Sequence, residues 1–513
     1  MKSIRSLIKY LLLALFIASC TEEYLETNPY GLQNEDTYYS TDEEVRKGLN
    51  AAYDFLVRDF ATSNDESEGA GYSSSFMMRC IASDNGNAGG GNPQDIEDWQ
   101  QMDEFRTVSS NGSLLQHWQR SYFGIYRCNL LLDREYDEMS DELVVYLAEA
   151  RFLRAYYYWE LVTFFGGVPV VDWIISTADP YPPRNTEQEV WTFIETDLTA
   201  AIEDLPLKSQ RAPSERQRAS KGAARALLAK AYMFREKYSD AAQVLEDLFD
   251  SYEYELDSSY AHIFALDGEF GTESIFEISY TSSFGGEWDG NRSRNLEGNV
   301  NSQLMGVRGL SSNSYYFPGW GFNKVELDLI EAFDSENDSI RKYSTAYGDE
   351  FFTEHDISYT DNYKNTGWWC KKMAPDNASF GDGDGAPELD YQHNEVVLRL
   401  ADMYLLYAEA QFRLGNEGVT REYINRIRFR VNLPDLDGGL SGQALFDALV
   451  KERRLELAME GHRYFDLIRW GLAAQVLQNQ WGGSFDPNVH TVFPVPQQEI
   501  SRSGGVLKQN TGY

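Results

Sequence analysis

The chain has 513 residues and a formal net charge of −36, and 14% of it is aromatic, including 33 Tyr and 11 Trp. That length allows two or more average domains, or one large repetitive one, with a sizeable core. The charge excludes nucleic acid as a partner, because phosphate contacts need surface Lys and Arg, and it opposes direct adsorption to an anionic membrane.

At the N-terminus, "MKSIRSLIKY" supplies a basic lead and "LLLALFIA" an apolar run too short to span a bilayer comfortably. Small residues then precede Cys20. The order resembles a bacterial lipoprotein signal over residues 1–19, cleaved before Cys20, whose thiol takes the lipid. No other stretch is apolar and long enough to span, so the expected membrane attachment is this anchor alone. Cys80, Cys128 and Cys370 remain, enough for at most one disulfide, and their spacings match no zinc pattern.

From Thr62 to Asn111 the chain is polar and glycine-rich. Asp84 and Asn85 lie there as candidate partners for sugar hydroxyls, followed by Trp99 as a candidate platform. Next, "YLAEARFLRAYYYWELVTFFGGVPVV" places Ala148, Phe152, Ala155 and Trp159 at helical intervals, with Gly166-Gly167 and Pro169 as the stop. In "GAARALLAKAYMFREKYSDAAQVLEDLFDS", Ala224, Leu227, Leu228 and Ala231 share one face, and Tyr238 with Ala241-Ala242 opens a second helix. Small residues where two helices approach are the logic of tetratricopeptide pairs. "VLRLADMYLLYAEAQFRLGNEGVTREYINRIRFRVNLP" repeats it, with Gly415 and Pro434 as stops.

A different segment, about 251–394, separates the second unit from the third. It is rich in Gly, Asn, Asp, Ser and aromatics. The expected organisation is therefore a mainly α superhelix of tetratricopeptide-like helix pairs interrupted by long irregular insertions, with regions at 20–250, 251–394 and 395–513. Loops on a rigid scaffold are where binding residues concentrate. A sugar offers a flat C–H face and a ring of hydroxyls, and Tyr and Trp answer it with rigid area and a polar handle. Trp288, Tyr315, Tyr316 and Trp320 stand in such polar surroundings and join Trp99, Asp84 and Asn85 as glycan-binding candidates; each ring has packing beneath its own loop as its alternative. Trp368 and Trp369 rank lower, since neighbours in a strand face opposite ways. "GDGDGAPELD" offers Asp382, Asp384 and Asp390 as calcium ligands but lacks the Glu of an EF-hand at the twelfth position; a turn before Pro387 is the simpler reading, and no metal or cofactor is expected.

The run "KERRLELAMEGHRYFDLIRWG", Lys451 to Gly471, is dense in charge. Arg453 and Glu456, Glu460 and Arg463, and Asp466 and Arg469 are each three apart, a spacing that sets opposite charges side by side on a helix. Guanidinium forks suit carboxylate pairing and are poor bases. With apolar residues threaded between, the run reads as a structural lock, and His462 as no base. His117, beside Trp118, reads as a packed surface residue. No GxSxG, Walker or HExxH motif is present.

The sequence resembles the SusD/RagB family of outer-membrane nutrient-binding lipoproteins. The resemblance rests on Cys20 with "LETNPYG", on "LAEARFLRAYYYWELVTFFGGVPVV", "ASKGAARALLAKAYM", "VVLRLADMYLLYAEAQFRLGN", "INRIRFRVNLP" and "ERRLELAMEGHRYFDLIRWG", and on the tail "FPVPQQEISRSGGVLKQNTGY". One departure is Ser503-Gly504, where the family often has Asn-Pro. Glu22 and Glu23 resemble the export signal that sends lipoproteins of Bacteroidetes-type bacteria to the cell exterior. The resemblance implies four tetratricopeptide-like pairs, no catalysis, and capture of an oligosaccharide or polysaccharide for a SusC-type TonB-dependent transporter. A RagB-like peptide binder, a lipid-anchored hydrolase and a purely structural tetratricopeptide scaffold are the alternatives.

Overall fold

The computed structural model describes residues 38–58, 60–61, 71–176, 178–282, 297–313, 315–377, 386–478, 481 and 483–513. Cys20 with its leader, Trp288, Asp382 and Asp384 lie outside the described residues. The N-terminal half carries α1 (Asp42–Val57), β1 (Phe60–Ala61), β2 (Gly71–Tyr72), α2 (Ser75–Ile81), β3 (Gly86–Gly89), α3 (Glu97–Asp103), α4 (Gly112–Leu132), α5 (Asp141–Phe165), α6 (Glu187–Asp204), α7 (Lys221–Phe234) and α8 (Tyr238–Phe249). After it come β4 (Ser274–Ile278), α9 (Val300–Met305), β5 (Phe322–Val325), α10 (Leu327–Ser335), α11 (Ser339–Thr345), β6 (Ala346–Gly348), α12 (Asp349–Glu354), β7 (Trp368–Cys370) and β8 (Glu395–Arg399). The chain closes with α13 (Leu400–Arg413), α14 (Glu417–Arg430), α15 (Gly442–Glu456), α16 (Arg463–Arg469), α17 (Ala473–Val476) and α18 (Gln497–Arg502).

The long helices form one stack in which α1, α4, α5, α6, α7, α8, α13, α14 and α15 each pack on the one before. Sequence dictates their ends. Thr41 with Glu44 and Thr186 with Glu189 close capping boxes on α1 and α6, and α5 stops at Gly166, whose φ of 69° suits glycine. Small residues set the close approaches: Ala224, Leu227 and Ala231 of α7 and Ala241 of α8 have no exposed surface. In α5, Ala148, Phe152, Ala155 and Trp159 are buried as their spacing implied, and so is nearly every residue after Ala148, because this helix lies at the centre of the stack.

Strand β4 pairs antiparallel with β8, pinching together the two ends of the interval between α8 and α13, so that α13 resumes the stack directly on α8. The interval itself folds around Val307, Leu310, Tyr347, Phe352 and Trp369. Its elements run from three to nine residues, too short for hydrophobic periodicity to mark them. In β7, Trp369 is fully buried and Trp368 only partly, as alternation requires.

The charged run is buried between the stack and the interval. Glu456, on the last residue of α15, receives Arg399 at 2.6 Å, Arg341 at 3.1 Å and Arg430. Glu460 receives Arg399 at 2.7 Å and Lys372 at 2.5 Å. Of the expected local pairs, Asp466–Arg469 forms, at 2.8 Å. Two other local pairs are corrected: Arg453 takes Asp402 and Asp466, both at 2.7 Å, and Arg463 takes Asp84. The helix ends at Glu456, and positive φ at Met459 (60°) and Gly461 (75°) turns the chain before α16 begins at Arg463, so Glu460 and Arg463 never share a helix face. His462 is half-buried, and desolvation together with the neighbouring Lys230 drives its imidazole down to about 3. His117 is not a surface residue; it is fully buried against Phe164 at 4.4 Å, and burial holds it well below the usual imidazole range. The three cysteines among the described residues are buried free thiols.

Candidate functional site

The glycine-rich loop and the interval meet through β3 and β5, which pair Gly86 with Val325, Asn87 with Lys324 and Gly89 with Phe322. Bare glycines make the contact possible. A Cβ on Gly90, at φ 85°, would stand 2.7 Å from the Phe322 ring, and one on Gly91 would stand 2.8 Å from the Arg308 guanidinium. Gly306 and Gly319 touch backbone to backbone in the same way, so Trp320 leaves a tight crossing whose ladder includes Trp320 N–H to the Gln303 carbonyl at 2.9 Å.

Three side chains gather on this surface. Trp320 is half-buried. Arg308 lies beside it and donates to the Trp320 carbonyl at 3.1 Å and to Asp95 at 3.2 Å, with its side chain 42% exposed. Asp95 in turn accepts from the Gly91 N–H at 2.7 Å, which fixes the loop. Lys324 lies below, bonded to Asn362 and to the Tyr363 carbonyl, and burial pulls its ammonium down to about 7. An exposed tryptophan, Trp481, donates to Glu326 at 2.7 Å, and Glu326 also accepts from Asn87 at 2.7 Å. A half-buried tryptophan on a loop that also presents a guanidinium and a carboxylate suits a polyhydroxylated ligand with a flat apolar face.

Further along the interval, Tyr315 is exposed and meets His355 edge-on at 4.7 Å, while Tyr316 stacks on Tyr347 at 4.7 Å with planes 5° apart. Tyr315 is thus exposed beside Phe351 and His355, and Tyr316 has one face covered. Three sequence candidates are corrected. Trp99 is fully buried, packed edge-on against Phe322 at 5.5 Å, and supports the loop from beneath without facing solvent. Asp84 is claimed by Arg463 at 2.8 Å and Arg454 at 3.0 Å, and Asn85 accepts from Arg454 at 2.9 Å. Both are buried in the lock, turned toward these arginines and away from solvent. Asp390 is buried, and among the described residues no three His, Cys, Asp or Glu side chains gather as metal ligands would.

Sequence reasoning missed Arg308, Asp95 and Trp481. The signal for Trp481 was present in "NQWGGSF", the same polar, glycine-bearing setting as Trp320. Arg308 and Asp95 stand 213 residues apart, and only the β3–β5 pairing unites them.

Known proteins share this architecture. A family model described as "SusD family" matches residues 340–513, and one described as "Starch-binding associating with outer membrane" matches 23–233. A solved laminarin-binding SusD-like protein is 30% identical, with a TM-score of 0.82, over 93% of this chain and all of its own. Surface glycan-binding protein A from Bacteroides thetaiotaomicron, solved with laminarihexaose, is 27% identical over 91% of this chain and 99% of its own, with a TM-score of 0.81. SusD-like protein P25 of Formosa agariphila is 26% identical across 99% of both chains. The starch-binding protein SusD of Bacteroides thetaiotaomicron is 24% identical over 76% of this chain and 77% of its own. With a solved relative alike along the whole scaffold, this chain belongs to the SusD/RagB family.

Proposed function

We propose that the protein captures a laminarin-type glycan at the cell surface and hands it to a SusC-type TonB-dependent transporter in the outer membrane, held there by lipid on Cys20. It binds and releases; it does not turn over. The observation that carries this reading is the end-to-end likeness, at 30% identity, to a protein that binds laminarin. The surface around Trp320 supports it, since a rigid indole beside Arg308 and Asp95 is the chemistry a sugar ring requires. A stacked tetratricopeptide-like scaffold supplies broad surface for a protein partner, and among the described residues no helix is long and apolar enough to cross a membrane.

Affinity electrophoresis of the unlipidated chain tests the glycan. Laminarin in the gel retards the protein, and Trp320→Ala weakens retardation about tenfold, the equivalent of roughly 1.4 kcal/mol for a lost stacking contact. Absence of retardation by laminarin, starch or other polysaccharides, together with capture of peptides, would transfer the protein to the RagB-like reading. Release of sugar products would make it a hydrolase. For the partner, a C-terminal tag recovers the transporter in near-equal amount from gentle detergent extracts; recovery of the protein alone would defeat the transporter assignment.

A further inference from the structure

A second concave surface lies away from the loops around Trp320 and shares no lining residue with them. It is a groove of about 970 Å3 between α4, residues 169–176 and 179–182, and α18. Its walls are fixed by the chain's own bonds. The Tyr122 hydroxyl donates to the Pro169 carbonyl at 2.7 Å, and the Asn129 amide holds the Val171 and Trp173 carbonyls at 2.9 and 3.2 Å. At the far end Glu499, buried, accepts from Gln119 at 2.8 Å and from the Tyr181 hydroxyl at 3.3 Å. The groove is thus preformed, and its volume is that of a site for an oligosaccharide-sized ligand.

The lining fits the same ligand chemistry. Trp173 is 39% exposed on the rim, and the rings of Tyr122, Tyr126 and Tyr181 are half-buried along the floor. Between them the half-buried Arg127 guanidinium has no hydrogen bond or ion pair among the described residues. Its five donors in a planar fork match the paired oxygens of neighbouring sugar hydroxyls. Cations and anions are balanced here, Arg127 and Arg502 against Asp179 and Glu499, which suits a neutral ligand over a charged one.

We infer that this groove is a second carbohydrate subsite, taking a neutral oligosaccharide whose ring stacks on Trp173 while Arg127 holds its hydroxyls. The inference rests on the glycan reading above and adds to it: a long polysaccharide engages one chain at two places and is retained more strongly than a short oligomer.

Hydrogen–deuterium exchange of the full chain, with and without laminarihexaose and laminarin, tests this without mutation. The expected result is protection at residues 118–129 and 169–176 as well as at 86–96 and 306–321. Protection of 86–96 and 306–321 alone leaves the proposed function standing and overturns the second subsite. No protection anywhere overturns both. Protection of the groove only when the transporter is bound, and never by sugar, makes it a protein interface and overturns the subsite. In affinity gels, Trp173→Ala and Arg127→Ala should each weaken laminarin retention three- to tenfold and abolish what remains in a Trp320→Ala background. Retention equal to the parent in both variants would overturn the inference.

Discussion

Arg399 ties three parts of the molecule together, and replacing it by alanine is the sharpest perturbation of the lock. Its guanidinium is 1% exposed and reaches Glu460 at 2.7 Å, Glu456 at 2.6 Å and Glu273 at 2.8 Å, linking β8 to the end of α15 and to the chain entering β4. Removing it leaves three carboxylates in a dry site. None is wholly abandoned, because Lys372 still holds Glu460, Arg341 and Arg430 still hold Glu456, and Arg430 still holds Glu273. The loss therefore falls at the low end of the range for breaking a buried pair, about 3 kcal/mol, a factor on the order of a hundred in the unfolding equilibrium. For a chain this long that is a fall of about 3 °C in Tm by calorimetry. Arg399→Lys keeps the charge but not the fork and should recover only part. Lowering the pH should narrow the gap between mutant and parent, since protonation relieves the stranded carboxylates. Laminarin affinity of the folded mutant should not change. An unaltered Tm, or lost binding with the fold intact, would refute the structural role of the charged run.

Other outcomes follow from the same geometry. Gly90→Val places a side chain against the Phe322 ring at a φ of 85°, so it should cost stability and weaken glycan retention severalfold, measured by calorimetry and affinity gel. Arg308→Ala removes the donor beside Trp320 and should weaken laminarin binding severalfold in titration calorimetry while barely moving Tm, because its ion pair with Asp95 lies at the surface, where such pairs contribute little. Glu269 is pushed up from 4.5 to about 7 by burial; the folded state holds its proton more tightly than the unfolded chain, so its contribution to stability falls as pH rises from about 4.5 to about 7. Glu269→Gln should flatten that part of the profile in denaturant titrations. Burial opposes ionisation of Glu456, but Arg430, Arg399 and Arg341 outweigh it and hold the carboxyl well below the usual range. Its stabilisation is present above the unfolded carboxylate pKa and is lost as pH falls beneath it, so melting in acid should steepen below about pH 4.

The scaffold was legible because its signals are local. Ala224, Leu227 and Ala231 announce a close helix contact within two turns, and Gly166 and Gly415 mark ends by their own backbone freedom. The lock was legible in kind, since so many guanidiniums and carboxylates between apolar residues have few other uses. Its partners were not, because Asp84 reaches Arg463 across 379 positions. The same distance misplaced Asp84 and Asn85 in the glycan site: their polar neighbours gave no sign that Arg454 and Arg463 occupy them. Trp99 failed for another reason. Its polar neighbours Gln100 and Asp103 are themselves buried, satisfied by the Gly89 carbonyl and by Lys364, so polarity around the indole did not signal exposure. Trp320 remains a candidate, since it is half-buried on a polar loop crossed at Gly306 and Gly319 and is not sealed in the core as Trp99 is.

Crystals of the chain grown with saturating laminarihexaose test the central claim most directly. A glucose ring stacked on Trp320, with hydroxyls in hydrogen-bond reach of Arg308 and Asp95, is the predicted result. A fully occupied hexaose that touches none of these three residues would contradict it.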